Sequence, residues 1–161
     1  MIFIVIFSFY LEGILSKVTN TTFLIPLTTL MSLIIIYPFC NKMKKEYYLI
    51  CFIIGLIYDI AYTNTLFLNA CLFLLIGYLI NLINIIITNN IFNVMIIGLI
   101  IIIIYRILNY FILVFIDYLE YDITLLIKSI LSSILLNLLY VGILYKIIDK
   151  ISKKYRIYKK D

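Results

Sequence analysis

The sequence predicts an all-α, polytopic membrane protein with six transmembrane helices, and three observations carry that prediction. Of 161 residues, 66% are hydrophobic and 13% charged, whereas soluble domains hold about 45–50% and about 25%. The mean hydropathy is +1.20. The apolar runs are continuous, as in Ile96 to Tyr105, and lack the period-two alternation of a membrane barrel strand. The length accommodates about six spans of about 20 residues with short loops, and no separate soluble domain.

The first helix is expected from about Ile2 to Ser16, with Glu12 near its far end. No positively charged leader precedes it and no small-x-small cleavage site follows, so it reads as a retained helix. Lys17 and Thr19-Asn20-Thr21-Thr22 form a short connection. The second helix is expected from Phe23 to Cys40. Pro26 falls in its first turn, where a missing N–H is harmless. Pro38 falls near its end, where it kinks or stops the helix. After the loop from Asn41 to Glu46, the third helix runs from Tyr47 to Ala61 and contains Asp59. The turn Tyr62-Thr63-Asn64-Thr65 leads to a fourth helix from Leu66 to Ile87, closed by Thr88-Asn89-Asn90. The fifth, from Ile91 to Ile116, contains Arg106 and Asn109. An acidic turn with Asp117, Glu120 and Asp122 precedes the sixth, from Ile123 to Ile148, which holds Lys128 and Asn137. Residues 1–148 then form the transmembrane domain and 149–161 a basic cytoplasmic tail.

Charge orients these helices. Lys42, Lys44 and Lys45 share one loop; Lys146, Lys150, Lys153, Lys154, Arg156, Lys159 and Lys160 crowd the C-terminus. Six spans place both clusters and the N-terminus on one side, and the positive-inside bias makes that side cytoplasmic. The acidic turn then faces outward. Five spans would put the two clusters on opposite faces. The membrane-surface set Lys42, Lys44, Lys45, Lys150, Lys153, Lys154 and Arg156 is expected to attract anionic inner-leaflet lipid.

Four charges remain inside the apolar segments: Glu12, Asp59, Arg106 and Lys128. Each costs roughly 3 kcal/mol or more at mid-depth, so each needs protein, water or the interface as company. By helix geometry all four fall in the outer half. Glu12, Asp59 and Arg106 are expected to form one polar cluster there, with Arg106 bridging the two carboxylates. Lys128 is expected to reach the outer interface along its own stem. Asn81, Asn84, Asn109 and Asn137 are expected to bind helix to helix.

Signatures of catalysis are missing from the sequence. It contains no His, no phosphate-binding G-x-x-x-x-G-K-[ST] loop and no G-x-S-x-G elbow. Cys40, Cys51 and Cys71 are scattered in or beside apolar runs and read as small hydrophobes. No catalytic set, metal or cofactor is expected. Nucleic-acid binding is not expected either, because no folded module to read bases is present.

The most distinctive stretch is Gly55-Leu56-Ile57-Tyr58-Asp59-Ile60, followed by a turn with Tyr62 and Thr63 and a helix reaching Tyr78. In this it resembles the bacterial rod shape-determining MreD family, whose members are of similar length. Phe23-Leu24-Ile25-Pro26 is similar in placement. The chain departs from the family in having Leu66-Phe67 where a Gly usually follows the turn. The resemblance implies a non-enzymatic inner-membrane component of the cell-elongation (rod) complex. Its implied partners are MreC first, then RodA and a class B penicillin-binding transpeptidase, with the actin-like MreB reached indirectly. The family is also similar to the six-helix S components of energy-coupling factor vitamin transporters, which implies an S-component-like bundle. A solute-binding S component is the alternative function. Against it, no Ala stands around Ser8 and Glu12, where S components carry the small residues that meet their coupling subunit.

Overall fold

The computed structural model describes residues 2–19, 24–40, 44–63, 65, 67–86 and 90–154, with backbone alone at 84–86, 153 and 154. The helices are α1 Ile2–Val18, α2 Thr28–Cys40, α3 Lys44–Tyr62, α4 Leu68–Ile86, α5 Ile91–Phe115 and α6 Ile123–Lys154. No strand occurs among the described residues. Lys42 and Arg156 lie outside the described residues, as do Asn64 and Leu66 of the turn.

α5 and α6, with 25 and 32 residues, are each long and apolar enough to cross a membrane. At 1.5 Å per residue they extend about 38 and 48 Å, against a hydrocarbon core of about 30 Å. α6 therefore runs past the expected boundary at Ile148 and carries Lys150 within its last turns. α3 likewise starts at Lys44, inside the loop expected before Tyr47.

The helices alternate in direction, so α2, α4 and α6 begin where α1, α3 and α5 finish. α2 is the centre of the bundle. Every residue from Thr28 to Pro38 is buried, and the helix packs against all five others. A helix apolar on all sides belongs in such a core. α3 and α4 form the most intimate pair. Their seam is lined by small residues, Gly55 and Cys51 on one side, Ala70 and Gly77 on the other. Tyr37 and Tyr47 close the far end, where the Tyr37 hydroxyl donates to Asn81 and the Tyr47 hydroxyl to the Leu33 carbonyl at 3.1 Å.

The start of α2 corrects the sequence expectation. The helix begins at Thr28, not Phe23, and residues 24–27, including Pro26, carry no regular secondary structure. Their backbone is satisfied by α6. The Ile25 amide donates to the Ser132 carbonyl at 3.2 Å. The Asn137 side chain brackets the same segment, accepting from the Leu27 amide at 2.7 Å and donating to the Ile25 carbonyl at 3.0 Å. Irregular backbone at membrane depth is tolerated only where protein supplies such partners. Asn137 thus ties α6 to the backbone of the segment that leads into α2, and not to another helix. Asn137→Leu is expected to cost about 2–3 kcal/mol, because it strands a buried N–H and a buried C=O. Thermal unfolding of the detergent-purified protein measures it.

Candidate functional site

Glu12 and Asp59 are only 3% and 1% exposed. Asp59 stands in the last turn of α3, where the macrodipole disfavours a negative charge, and Glu12 about two turns before the end of α1. Each faces the start of the next helix, where free amides and the positive dipole end favour one.

At α4 the residue before the helix is Phe67, whose side chain cannot accept a hydrogen bond. Asp59 supplies the missing acceptor from α3. Its Oδ1 accepts from the Asn69 amide at 3.1 Å and its Oδ2 from the Ala70 amide at 3.1 Å. These are the second and third helical amides, the pair a local N-cap would take. Oδ1 also accepts from the Asn69 Nδ2 at 2.8 Å and from the Thr63 hydroxyl at 3.1 Å. Asn69 in turn accepts from the Tyr105 hydroxyl at 2.7 Å.

α2 repeats the device. The residue before it is Leu27, again without an acceptor. Glu12 Oε2 accepts from the Thr29 amide at 2.8 Å. Glu12 Oε1 accepts from the Tyr58 hydroxyl at 2.8 Å. Thr28 donates its hydroxyl to the Ser8 carbonyl at 2.8 Å, and Ser8 and Tyr140 share a 2.6 Å hydroxyl contact. Tyr58 and Asp59, adjacent in α3, therefore reach α1 and α4 respectively.

The third hairpin uses ordinary caps. The Tyr110 hydroxyl accepts from the Asp122 amide at 2.6 Å. Asp122 Oδ1 accepts from the Thr124 hydroxyl at 2.6 Å and its amide at 2.8 Å. Those two bonds, the hydroxyl's first, hold the Asp122 carboxyl below its usual range. The stabilisation from this cap is fully present above the usual range and is lost as pH falls through the lowered value.

Gly55 explains the closeness of α3 and α4. It stands four residues before Asp59, on the same face of α3. A Cβ there would lie 2.5 Å from the Ala70 Cα and 2.5 Å from the Asn69 carbonyl oxygen. Gly55 admits the first turn of α4, and Asp59 then caps that turn. Phe67 shows the counterpart. Its φ of 66° lies in the left-handed region, which costs a non-glycine residue roughly 1–2 kcal/mol. This is the turn at which the sequence lacks the expected Gly. Phe67 is 57% exposed, so Phe67→Gly is expected to stabilise the fold by about 1 kcal/mol, read as a higher Tm.

The structure brings together Glu12 with Tyr58, and Gly55 with Asp59, but Arg106 hydrogen-bonds neither carboxylate among the described residues. No ion pair joins them among the described residues. The Arg106 Nε donates to the Ser133 hydroxyl of α6 at 2.9 Å. The expected bridge is not made: Arg106 turns to α6, while helix-start amides and the Tyr58 hydroxyl engage the carboxylates. Sequence reasoning also missed Asn69, Tyr105, Thr29 and Ser133. The signal available was indirect: Leu27 and Phe67 stand where Ser, Thr, Asp or Asn would cap a helix. Among the basic surface residues, Lys44, Lys45 and Lys150 are exposed. The side chains of Lys153 and Lys154 are not among those described.

No curated protein and no solved structure matches the chain. The family model of rod shape-determining protein MreD matches residues 1–155. That match spans all six helices, including the Gly55–Asp59 seam and both capped helix starts. The chain therefore belongs to the rod shape-determining MreD family, a family of membrane proteins that act in determining cell shape.

Proposed function

We propose that this protein is a non-catalytic scaffold of the bacterial elongation complex in the cytoplasmic membrane. It crosses the membrane six times with both termini inside, holds MreC, and helps couple MreB filaments to peptidoglycan synthesis by RodA and a class B penicillin-binding transpeptidase. The observation that carries this reading is the use made of Glu12 and Asp59. Both buried carboxylates are engaged by backbone amides of α2 and α4. They fix helix positions, which is what a scaffold requires of them.

The charge pattern supports the orientation. Lys44, Lys45 and Lys150 sit at the end where α2 and α4 finish, and Asp117, Glu120 and Asp122 at the other. The lysines then meet anionic inner-leaflet lipid. The connections are short, so contacts with partners are mainly between spans. A partner with a single span, as expected of MreC, fits that limit.

A mild-detergent pull-down of the tagged chain from its own membranes, read by mass spectrometry, tests this. Recovery of MreC, with RodA or the transpeptidase, is the expected result. Recovery of ATPase subunits and a small membrane coupler, without wall-synthesis proteins, would overturn it in favour of a transporter subunit.

A further inference from the structure

The cleft between the start of α5 and the last third of α6 carries charge that the bundle does not use. Its place follows from the packing of the two helices. A Cβ on Gly98 of α5 would lie 3.7 Å from the Val141 side chain and 3.8 Å from that of Leu138, both on α6. Ile91, the first residue of α5, stands two turns nearer the helix start, about 10 Å along the axis. The two helices are antiparallel, so the same step on α6 reaches Tyr145 to Ile148. α6 continues to Lys154 and so projects past α5. The step between them holds a cavity of about 540 Å³, lined by Asn90, Ile91, Tyr145, Lys146, Asp149 and Lys150.

Lys146 and Lys150 are both exposed. They stand one turn apart on the same face of α6, where like charges repel. Neither makes a hydrogen bond or an ion pair among the described residues. Asp149 is half-buried beside them, so two cations and one carboxylate leave the lining with an excess of positive charge. The Ile91 amide already donates to the Asn90 side chain at 2.7 Å. The lysines, and not the helix start, therefore set the charge of the cleft. Its other wall is apolar, made by Ile91 and by the ring of Tyr145, which packs against the core.

We propose that this cleft seats the headgroup of one anionic phospholipid, with Lys146 and Lys150 on the phosphate and the glycerol end of the chains against Ile91 and Tyr145. Charge complementarity and the apolar wall together select that occupant. Lysine binds phosphate as a point charge, and basic pockets between membrane helices hold anionic headgroups. A free phosphate would use the lysines and leave the apolar wall uncovered. The volume lies in the range of small-molecule sites, about 300–1,000 Å³. The cleft also opens between the two helices that are long and apolar enough to cross a membrane, at the end where their apolar runs stop. This seat rests on the lipid contact proposed above and narrows it to one cleft; it depends on neither MreC nor the other rod partners.

Native mass spectrometry of the detergent-purified full chain, titrated with phosphatidylglycerol or phosphatidylcholine, tests it. The first phosphatidylglycerol is expected to bind at least about tenfold more tightly than phosphatidylcholine, a factor within reach of two lysines beside an anionic headgroup. The double variant Lys146→Gln/Lys150→Gln should bind the two lipids alike. Lys44→Gln/Lys45→Gln removes the same charge from the other exposed cluster and should keep the preference. Circular dichroism and elution volume establish that each variant is folded. Equal binding of the two lipids by the wild-type chain, or an undiminished preference in Lys146→Gln/Lys150→Gln, would overturn the proposal. So would an equal loss in both double variants, the mark of diffuse attraction, or displacement of the bound lipid by millimolar inorganic phosphate, the mark of an ion site. A pull-down that recovers transporter subunits would remove the rod reading and leave this preference unchanged.

Discussion

Gly55→Ala is expected to destabilise the bundle by about 2–3 kcal/mol, the cost of overpacking a site that cannot relax. The added methyl would meet the Ala70 Cα, the Asn69 carbonyl oxygen and the Ala70 amide nitrogen at 2.5, 2.5 and 2.8 Å. All three are backbone, so no rotamer change relieves the clash. The helices must separate, and separation draws Asp59 away from the amides it caps. Two other glycines provide controls. At Gly13 the obstacle is the Tyr62 hydroxyl at 2.7 Å, the far end of a side chain that can move. At Gly142 nothing lies within 4 Å. Thermal unfolding in mild detergent should rank Gly55→Ala well below wild type, with Gly13→Ala a smaller loss and Gly142→Ala unchanged or slightly higher. A Gly55→Ala protein as stable as wild type would contradict the packing described.

The second large effect is expected at Asp59. Asp59→Leu removes the acceptor for two backbone amides and for the Asn69 side chain. Stranded buried donors cost about 1–3 kcal/mol each, although partial relaxation makes the sum smaller. A net loss of about 3 kcal/mol is expected, even though a charge leaves the membrane. Asp59→Asn keeps one acceptor oxygen and the shape, and should lose about 1 kcal/mol. Arg106→Leu should not alter either result, because no ion pair links the two residues. Chemical unfolding of the four proteins and the double variants reads this directly, with additivity expected for independent sites.

The reach of sequence reasoning can be judged from these same residues. The helices were legible, because long apolar runs interrupted by polar turns leave little choice of structure in a membrane. The need of Glu12 and Asp59 for company was legible too, as was the weight of the Gly55–Asp59 stretch. Their partners were not. A search for countercharge turns to Arg106, since a cation is visible in the sequence. A free backbone amide is not visible, because every residue except proline carries one. Only the folded chain shows which helix start is left without a local acceptor. The break at residues 24–27 was hidden for a related reason. Its composition is as apolar as a helix, and the group that satisfies its backbone, Asn137, is more than a hundred positions away. The positive φ of Phe67, by contrast, falls at the turn where the sequence departs from the family.

Hydrogen exchange at individual amides tests the central claim that the motif carboxylate caps α4 across the α3–α4 seam. In the detergent-purified wild-type protein, the amides of Asn69 and Ala70 should exchange slowly, although they belong to a first helical turn that ordinarily frays. In Asp59→Leu these two should become fast while the Thr29 amide, held by Glu12, stays protected. Unchanged protection of Asn69 and Ala70 in Asp59→Leu would contradict the capping role of Asp59.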